Sequence, residues 1–373
     1  MGALSTFGPL SLDLYLPGLP DMARDLDASA SAGQLTLTAC LVGLAAGQLL
    51  AGPISDARGR RGPLLIGLGM YVIASGLCAL SPSVVLLILV RFLQGLAGAA
   101  GIVIARAIVR DLYAGIEAAR MFATLLLVNG LAPIVAPILG GQLLHVTDWR
   151  GVFVVLSAIG WLLLVWAWRG VGETNRDPHG GGLAATRASF AVLLRDPAFV
   201  GIVLSAGLAF GAMFAYIAGS PFVLEERYGV TPQGFSVIFA CNGLGIMAAS
   251  RMSRVLVDRV GPARLFTAGV VQSMTGGIAL LLVHLAGGGL WALLPCLFVV
   301  VSAIGLVVPN GTALAMDRHP ERSGAASGFV GLAQFAIGAL AAPLVAGSEA
   351  SLSVVIAVLG TMSVGLRLTT RGA

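Results

Sequence analysis

The sequence contains no lysine, and all 22 of its basic residues are arginine. The absence of lysine excludes a Walker A nucleotide site and a Schiff base to retinal or pyridoxal phosphate. Charge is also scarce, because only 10% of the 373 residues are charged whereas 57% are hydrophobic. A water-soluble domain carries about 25% charged residues. The composition therefore predicts a protein that resides in a membrane.

Cysteine and histidine are rare as well, with four of each. The cysteines occur singly in apolar segments and without a CxxC pattern, as is typical of small packing residues. The histidines have no metal-ligand spacing, and we expect them to lie at the surface. We expect no metal site and no cofactor. The residues are Cys40, Cys78, Cys241 and Cys296, and His145, His179, His284 and His319.

Long apolar segments dominate the chain instead. A helix needs roughly 20 apolar residues to cross a bilayer core about 30 Å thick. Twelve such segments can be counted, which predicts an all-α membrane protein with twelve transmembrane helices. They are residues 2–20, 33–55, 62–80, 83–105, 119–143, 150–168, 198–220, 234–257, 262–284, 290–313, 323–346 and 350–367.

The arginines are distributed unevenly over the predicted loops. If the N-terminus is cytoplasmic, the opposite side holds only Arg24, Arg150 and Arg227, and Arg91 lies within a crossing. The cytoplasmic segments then contain all the other arginines. Because short cytoplasmic loops retain basic residues, we predict that both termini are cytoplasmic. The first segment has no basic flank at Met1, and we expect a few upstream residues to be missing.

The longest connector, residues 170–197, is rich in Gly, Asp, Arg and Thr and separates six predicted helices from six. It divides the chain into an N-terminal half (1–169) and a C-terminal half (198–373). Two short matches, offset by similar distances, favour an internal duplication of the kind found in transporters. One pairs residues 130–132 with 331–333, and the other pairs 56–59 with 258–261.

The loop between the second and third predicted helices is densely charged. Asp56 stands at the end of one helix, where it can accept the N–H groups that start the next helix and pair with nearby arginines. Such a group could latch one side of a transporter shut, whereas the alternative is a positive loop that only fixes topology. The latch candidates are Gly52, Asp56, Arg58, Gly59, Arg60 and Arg61.

Four stretches give the chain a family resemblance. GPLSLDLYLP at 8–17, RFLQG at 91–95, ARAIVRD at 105–111 and YIAGSPFV at 216–223, together with the loop at 52–62, resemble the Bcr/CflA-type drug:proton antiporters of the major facilitator superfamily. The resemblance implies two pseudo-symmetric six-helix halves around a central cavity. It also implies proton-driven efflux of drugs such as phenicols or bicyclomycin across the bacterial inner membrane.

The fifth predicted helix carries two prolines four residues apart and several glycines, which favour a bent helix with close neighbours. From the residues alone this pattern indicates packing. The resemblance implies that it is the antiporter motif of exporters. The motif residues are Gly130, Pro133, Pro137, Gly140 and Gly141.

Asp13 is the single acid of 17 that falls well inside a predicted crossing. An acid in hydrocarbon is costly unless it faces a cavity, pairs or binds a proton, and such acids mark ion pathways. We therefore predict that Asp13 couples transport to protons and that Arg91, deep in the fourth predicted helix, holds a conformation, pairs with substrate or biases Asp13. For Asp13 the alternatives are a position near a membrane face, because the first segment is short, and a helix-capping role. For Arg91 the alternative is a structural arginine that bonds backbone carbonyls of a neighbouring helix. Arg106 and Arg110 could pair with Asp111 or Asp56.

A pocket that accepts varied drugs needs aromatic and Met surface with a few polar anchors. For each single candidate at mid-membrane depth, ordinary packing is the favoured alternative. The substrate-binding candidates are Tyr216, Asn242, Gln34, Gln94, Met213, Phe239, Asn310 and Gln334.

The predicted function is thus drug efflux by alternating access, with drugs, protons and membrane lipid as partners, no nucleic acid, and a monomeric state. A sugar or other metabolite carrier is the first alternative. A membrane enzyme or sensor is the second, but the sequence has no HExxH or GxSxG motif and no soluble output domain.

Overall fold

The structure, a computed structural model, describes residues 2–5, 7–113, 117, 121, 132, 134–175, 190–345 and 348–369. Throughout these residues the regular secondary structure is helical. The chain forms two compact units, Met1–Ala184 and Ala185–Ala373.

The N-terminal unit contains four long apolar helices. Ser29, Ser83 and Asp148 cap three of them by accepting a backbone N–H from the first turn. The helices are α4 (Ala30–Arg58), α5 (Arg61–Ala79), α6 (Val84–Leu112) and α8 (Trp149–Gly170).

The first predicted crossing, residues 2–20, is not one continuous helix in the described part of the chain. It contains the short helices α1 (Gly2–Ser5) and α2 (Phe7–Asp13), a 3-10 turn (Leu16–Gly18) and α3 (Leu19–Asp25). Pro17 and Pro20 each stand in the first turn of a new segment, because a proline has no N–H to continue the preceding helix. Residues 11–20 are nevertheless all buried.

Helices α4 and α6 pack with their backbones close together. A side chain on Gly43 would meet the backbone of Phe92, and one on Gly95 would meet the backbone of Cys40. Such close approach needs residues without a Cβ at the contact. This contact positions Arg91, which precedes Phe92 on α6, inside the unit.

The fifth predicted crossing, residues 119–143, lies largely outside the described residues. Its described part is mainly α7, an apolar helix at Ile134–Leu143. Gly140 lies directly against the backbone of Leu14, because a Cβ on Gly140 would sit 2.9 Å from the Leu14 carbonyl carbon. Helix α7 therefore touches the residue that follows Asp13. Gly130 and Pro133 are not among the described residues.

The C-terminal unit contains the remaining long helices. A π-helical turn at Phe222–Arg227 extends the helix Pro197–Pro221, and the helices Leu290–Ser302 and Ile304–Arg318 form one apolar span that is interrupted at Ala303. The helices are α9 (Pro197–Pro221), α10 (Pro232–Val260), α11 (Pro262–Leu285), α12 (Leu290–Ser302), α13 (Ile304–Arg318), α14 (Ser323–Ala341) and α15 (Glu349–Thr369).

Ten helical spans in the described residues are long and apolar enough to cross a membrane. They coincide with ten of the twelve predicted crossings, four in the N-terminal unit and six in the C-terminal unit. The other two predicted crossings are the broken first segment and the segment around α7. The all-helical, multi-spanning prediction is confirmed, whereas the number twelve stays a prediction.

Candidate transport site

Asp13 is the last residue of α2, and its side chain is 5% exposed. Among the described residues, its carboxyl group has no hydrogen-bond or ion-pair partner. A buried carboxylate without a partner is costly, and protonation is the ordinary way to relieve that cost. The structure thus places an acid without a described partner in the interior of the N-terminal unit.

Arg91 is completely buried. Its Nη1 donates to the backbone oxygen of Ser11 at 2.8 Å and to Gln94 Oε1 at 2.5 Å. Its Cζ lies 4.5 Å from the ring centroid of Tyr15 and 5.4 Å from that of Phe153. The guanidinium is therefore held by a backbone carbonyl, an amide and two aromatic rings.

Two nitrogens of Arg91, Nε and Nη2, have no hydrogen-bond partner among the described residues. No described carboxylate lies within ion-pair distance of the guanidinium either, so Arg91 and Asp13 are not paired in this state. The bond to Ser11 matches the structural alternative that the sequence left open for Arg91. The unsatisfied N–H groups still leave capacity for another acceptor.

The side chains around Arg91 form a connected polar cluster. Gln94, a predicted substrate-binding residue, donates from Nε2 to Ser75 Oγ at 2.8 Å. Both its amide nitrogen and its amide oxygen therefore already form hydrogen bonds within the protein. The Ser11 and Tyr71 hydroxyl oxygens lie 2.7 Å apart. Gln34, the other substrate candidate in this unit, is also fully buried.

In the C-terminal unit, three substrate candidates are in mutual contact. Asn242 Nδ2 donates to the Tyr216 hydroxyl oxygen at 2.8 Å. The Tyr216 ring stacks on Phe239 with centroids 5.6 Å apart and an interplanar angle of 23°. All three are at most 5% exposed. They form a compact aromatic and amide group, the Tyr216 cluster.

The other substrate candidates of this unit differ in environment. Asn310 Nδ2 donates to Ser253 Oγ and to the Leu306 carbonyl, both at 2.7 Å, which is the bonding of a structural amide. Gln334 Nε2 is buried and has no hydrogen-bond partner among the described residues. Met213 is 9% exposed. Of these three residues, only Gln334 has a buried N–H donor that forms no hydrogen bond to a described residue.

The latch candidates form an ion-pair network around Arg60, which is only 4% exposed. Its Nη1 pairs with Asp56 Oδ1 and donates to Ser55 Oγ at 2.9 Å, and its Nε donates to Asp111 Oδ2 at 2.8 Å. Arg60 is therefore the residue that pairs with both acids. Arg106, which is also described, forms no ion pair with those acids, and the Arg110 side chain lies outside the described residues.

The remaining latch candidates form no ion pair with a described residue. Arg61 Nη2 donates to the Trp168 carbonyl at 2.9 Å, and the Gly52 carbonyl accepts from Ser55 Oγ at 2.9 Å. Arg58 is exposed. Gly59 adopts a φ of 84°, a conformation that glycine tolerates far better than other residues.

Glu173, a residue that the sequence analysis did not single out, accepts the N–H groups at the start of α5. The backbone N–H of Arg60 donates to Oε1 at 2.7 Å and that of Arg61 to Oε2 at 3.1 Å. These are the N–H groups expected to bond to Asp56, and that part of the prediction was wrong. Burial alone would raise the pKa of Glu173, but backbone donors from Arg60, Asn175, Arg61 and Thr174 outweigh it and hold that pKa below its ordinary value.

A second ion-pair group, also not predicted, centres on Glu349 at the start of α15. This carboxylate is almost fully buried and contacts Arg227 Nε at 2.8 Å, Tyr228 Oη at 2.8 Å and His284 Nδ1 at 2.9 Å. In the same unit, His319 Nε2 lies 3.1 Å from Asp196 Oδ2. The expectation that these two histidines are simple surface residues was therefore wrong, because both are partly buried against a carboxylate.

No group of three or more potential metal ligands occurs among the residues that the structure describes. The four cysteines are all free. The polar groups described above are a buried acid, a buried guanidinium and a charged loop network in the N-terminal unit, and an aromatic and amide cluster in the C-terminal unit.

Comparison with known proteins defines the class. The family model of the Major Facilitator Superfamily matches residues 2–343, and the chain belongs to this superfamily of membrane transporters. The D-xylose-proton symporter has a similar fold, with a TM-score of 0.76 over 99% of this chain and 96% of that one, at 17% sequence identity.

Relatives of higher identity carry drug-resistance or transporter names. The "Uncharacterized MFS-type transporter YdgK" of Bacillus subtilis is 40% identical over 94% of this chain and 88% of its own length. The "Bicyclomycin resistance protein homolog" of Haemophilus influenzae is 31% identical over 93% of this chain and 87% of its own. The predicted resemblance to the drug-resistance members of the superfamily is confirmed.

Proposed function

We propose that this chain exports small hydrophobic drugs across the bacterial inner membrane in exchange for protons. The observation that carries the proposal is the buried Asp13 carboxyl group, which has no partner among the described residues. Such a group is stable when it holds a proton and unstable in its charged form unless water or a cation reaches it. Alternating exposure to the two sides of the membrane would let it take up a proton on one side and release it on the other.

Proton entry supplies the energy for export. A charge that moves inward through 100 mV releases about 2.3 kcal/mol, which could sustain a drug gradient of roughly fiftyfold for each proton. In this scheme both termini are cytoplasmic, the connector at 170–197 is cytoplasmic, and each half contributes six helices. The carrier functions as a monomer within the lipid bilayer. Substrates such as bicyclomycin or phenicols are proposed on the resemblance to drug-resistance proteins.

The test is a susceptibility panel across antibiotic classes in a pump-deficient bacterial host. We expect resistance to at least one hydrophobic antibiotic, and we expect Asp13→Asn to lose it at normal expression. Asp21→Asn is the matched control, because Asp21 lies in the same segment but is exposed and paired with Arg24. Resistance that survives in the Asp13→Asn variant would remove Asp13 from the mechanism.

A sugar or metabolite carrier is the rival function. Accumulation of the antibiotic in whole cells, measured with and without an uncoupler, separates the two. An exporter keeps accumulation low until the uncoupler is added, whereas a carrier for nutrients leaves it unchanged. Turnover of a lipid by the purified protein without a gradient would instead favour a membrane enzyme.

A further inference from the structure

The start of the connector is bound to the loop that contains the latch candidates. Glu173, three residues beyond the end of α8, accepts the backbone N–H groups of Arg60 and Arg61 at 2.7 and 3.1 Å. These N–H groups belong to the first turn of α5, which has no intrahelical acceptors for them. A carboxylate at this position also complements the positive end of the helix dipole.

The two residues after Glu173 extend the same contact. Thr174 Oγ1 donates to Asp111 Oδ2 at 3.2 Å, and Asn175 Nδ2 donates to the Asp56 carbonyl at 2.9 Å. Asp56 and Asp111 are the two acids that hold Arg60. Three consecutive connector residues therefore each bond to a member of the Arg60 network.

Gly59 provides the space that the Glu173 carboxylate occupies. A Cβ on Gly59 would overlap the carboxylate, at 2.8 Å from its Cδ. The related loop of the C-terminal unit has the same turn, but no described side chain lies against its glycine. Gly261 there adopts a φ of 83°, and a Cβ on Gly261 would meet nothing within 4 Å. The same backbone conformation thus occurs once with a bound carboxylate and once without.

We propose that Glu173 is a positioning residue for transport, which docks the connector on Gly59–Arg61 and keeps Arg60 between Asp56 and Asp111. The inference rests on the proposed function, because it assigns to this network the control of a conformational step. Glu173 contacts no candidate for drug or proton binding. Its loss should therefore slow the step that rearranges the network and leave drug binding as it is.

The first experiment measures docking directly, by hydrogen–deuterium exchange of the backbone amides of Arg60 and Arg61 in the full-length protein. A hydrogen bond to a charged acceptor protects an amide, so we expect exchange to accelerate roughly tenfold in Glu173→Ala. Glu173→Gln keeps one acceptor oxygen and should give an intermediate rate. Unchanged exchange in Glu173→Ala would overturn the proposal.

The second experiment compares Gly59→Ala with Gly261→Ala. Both substitutions place alanine at positive φ and carry a similar backbone cost. Only Gly59→Ala displaces a carboxylate, so only this variant should reproduce the faster exchange at Arg60 and Arg61. Equal effects of the two variants on that exchange would contradict the assignment of Glu173.

The third experiment measures drug transport in proteoliposomes for Glu173→Ala and Glu173→Gln. We expect the maximal rate to fall severalfold in Glu173→Ala, with partial recovery in Glu173→Gln, while the half-saturating drug concentration stays within about twofold. A loss that appears mainly as weaker half-saturation would overturn the proposal. If the wild-type protein transported no drug, the proposed function would fail, and the exchange data would still decide whether Glu173 docks the connector.

Discussion

Arg91 donates a 2.8 Å hydrogen bond from Nη1 to the backbone oxygen of Ser11, two residues before Asp13. The buried cation is thereby fixed to the segment that carries the acid, without an ion pair to the acid itself. A backbone carbonyl does not titrate, so this hydrogen bond does not depend directly on whether Asp13 holds a proton. Arg91 can therefore keep this segment in place in both protonation states.

Replacement of Arg91 by lysine should abolish most drug resistance. A lysine ammonium cannot bond to Ser11 and Gln94 and also stack on Tyr15 as the planar guanidinium does. Leaving a buried acceptor unpaired costs about 1–3 kcal/mol, so Arg91→Lys should also lower the melting temperature in detergent. Arg24→Lys, at an exposed position, should behave as wild type. Full resistance in Arg91→Lys would show that any buried cation suffices here.

Gly140→Ala should disturb the segment that carries Asp13. The new methyl group would overlap the backbone of Leu14, and such overpacking costs about 1–3 kcal/mol. We expect lower thermal stability and loss of resistance. The control is Gly69→Ala in α5, where a methyl group would meet nothing within 4 Å and the helix should gain up to about 1 kcal/mol. Similar thermal shifts in the two variants would contradict the close contact at Leu14.

The sequence predicted the helices well, because a membrane crossing is a local property of about 20 apolar residues. It was less informative where prolines break the chain, as at Pro17 and Pro20, since short segments carry no length signal. It also indicated a charged latch loop from residues 52–62. A local pattern shows which residues are charged, whereas only the fold shows which of them meet.

Two of the acids that the sequence analysis missed illustrate this limit. Glu173 bonds to Arg60 across 113 positions in the chain, and Glu349 meets His284 across 65. No spacing rule connects residues so far apart. One sequence feature indicated Glu173: it is an acid just after the end of a predicted helix, and an acid there can pair with a basic loop such as residues 52–62. Glu349 stands at the start of an apolar helix, where an acid is ordinary.

Phe239→Leu should reduce resistance to aromatic drugs more than to others. The substitution removes the ring that stacks on Tyr216, and an aromatic contact contributes about 0.5–1.5 kcal/mol, a roughly two- to tenfold effect. Chloramphenicol, which has an aromatic ring, and bicyclomycin, which has none, provide the comparison in a susceptibility assay. Phe298→Leu alters an exposed ring in the same unit and should change neither. An equal loss for both drugs would indicate a structural role for the Tyr216 cluster.

Asp196→Asn should weaken the C-terminal unit in a pH-dependent way. The Asp196 carboxylate caps α9 by accepting the N–H groups of Ala198 and Phe199, and it is bound by Arg318 Nε at 2.8 Å. The hydrogen bond from Arg318, opposed by burial, lowers the pKa of Asp196 to about 2.

Because this pKa is depressed in the folded state, the ionised carboxylate stabilises the fold. The stabilisation is complete above the pKa of the unfolded chain, about 3.9, and is lost as the pH falls through about 2. At pH 7 an asparagine still caps α9 about as well as an aspartate, so the cost is that of the partly exposed ion pair with Arg318, up to about 1 kcal/mol. Melting temperatures in detergent should therefore differ most between wild type and variant at pH 5–7 and converge as the pH falls below about 4. Asp258→Asn, at an exposed position, should show little difference at any pH. If the melting temperature of Asp196→Asn stayed below that of the wild type by the same amount down to the lowest pH, the carboxylate charge would contribute nothing. The asparagine would then act only by disturbing the packing.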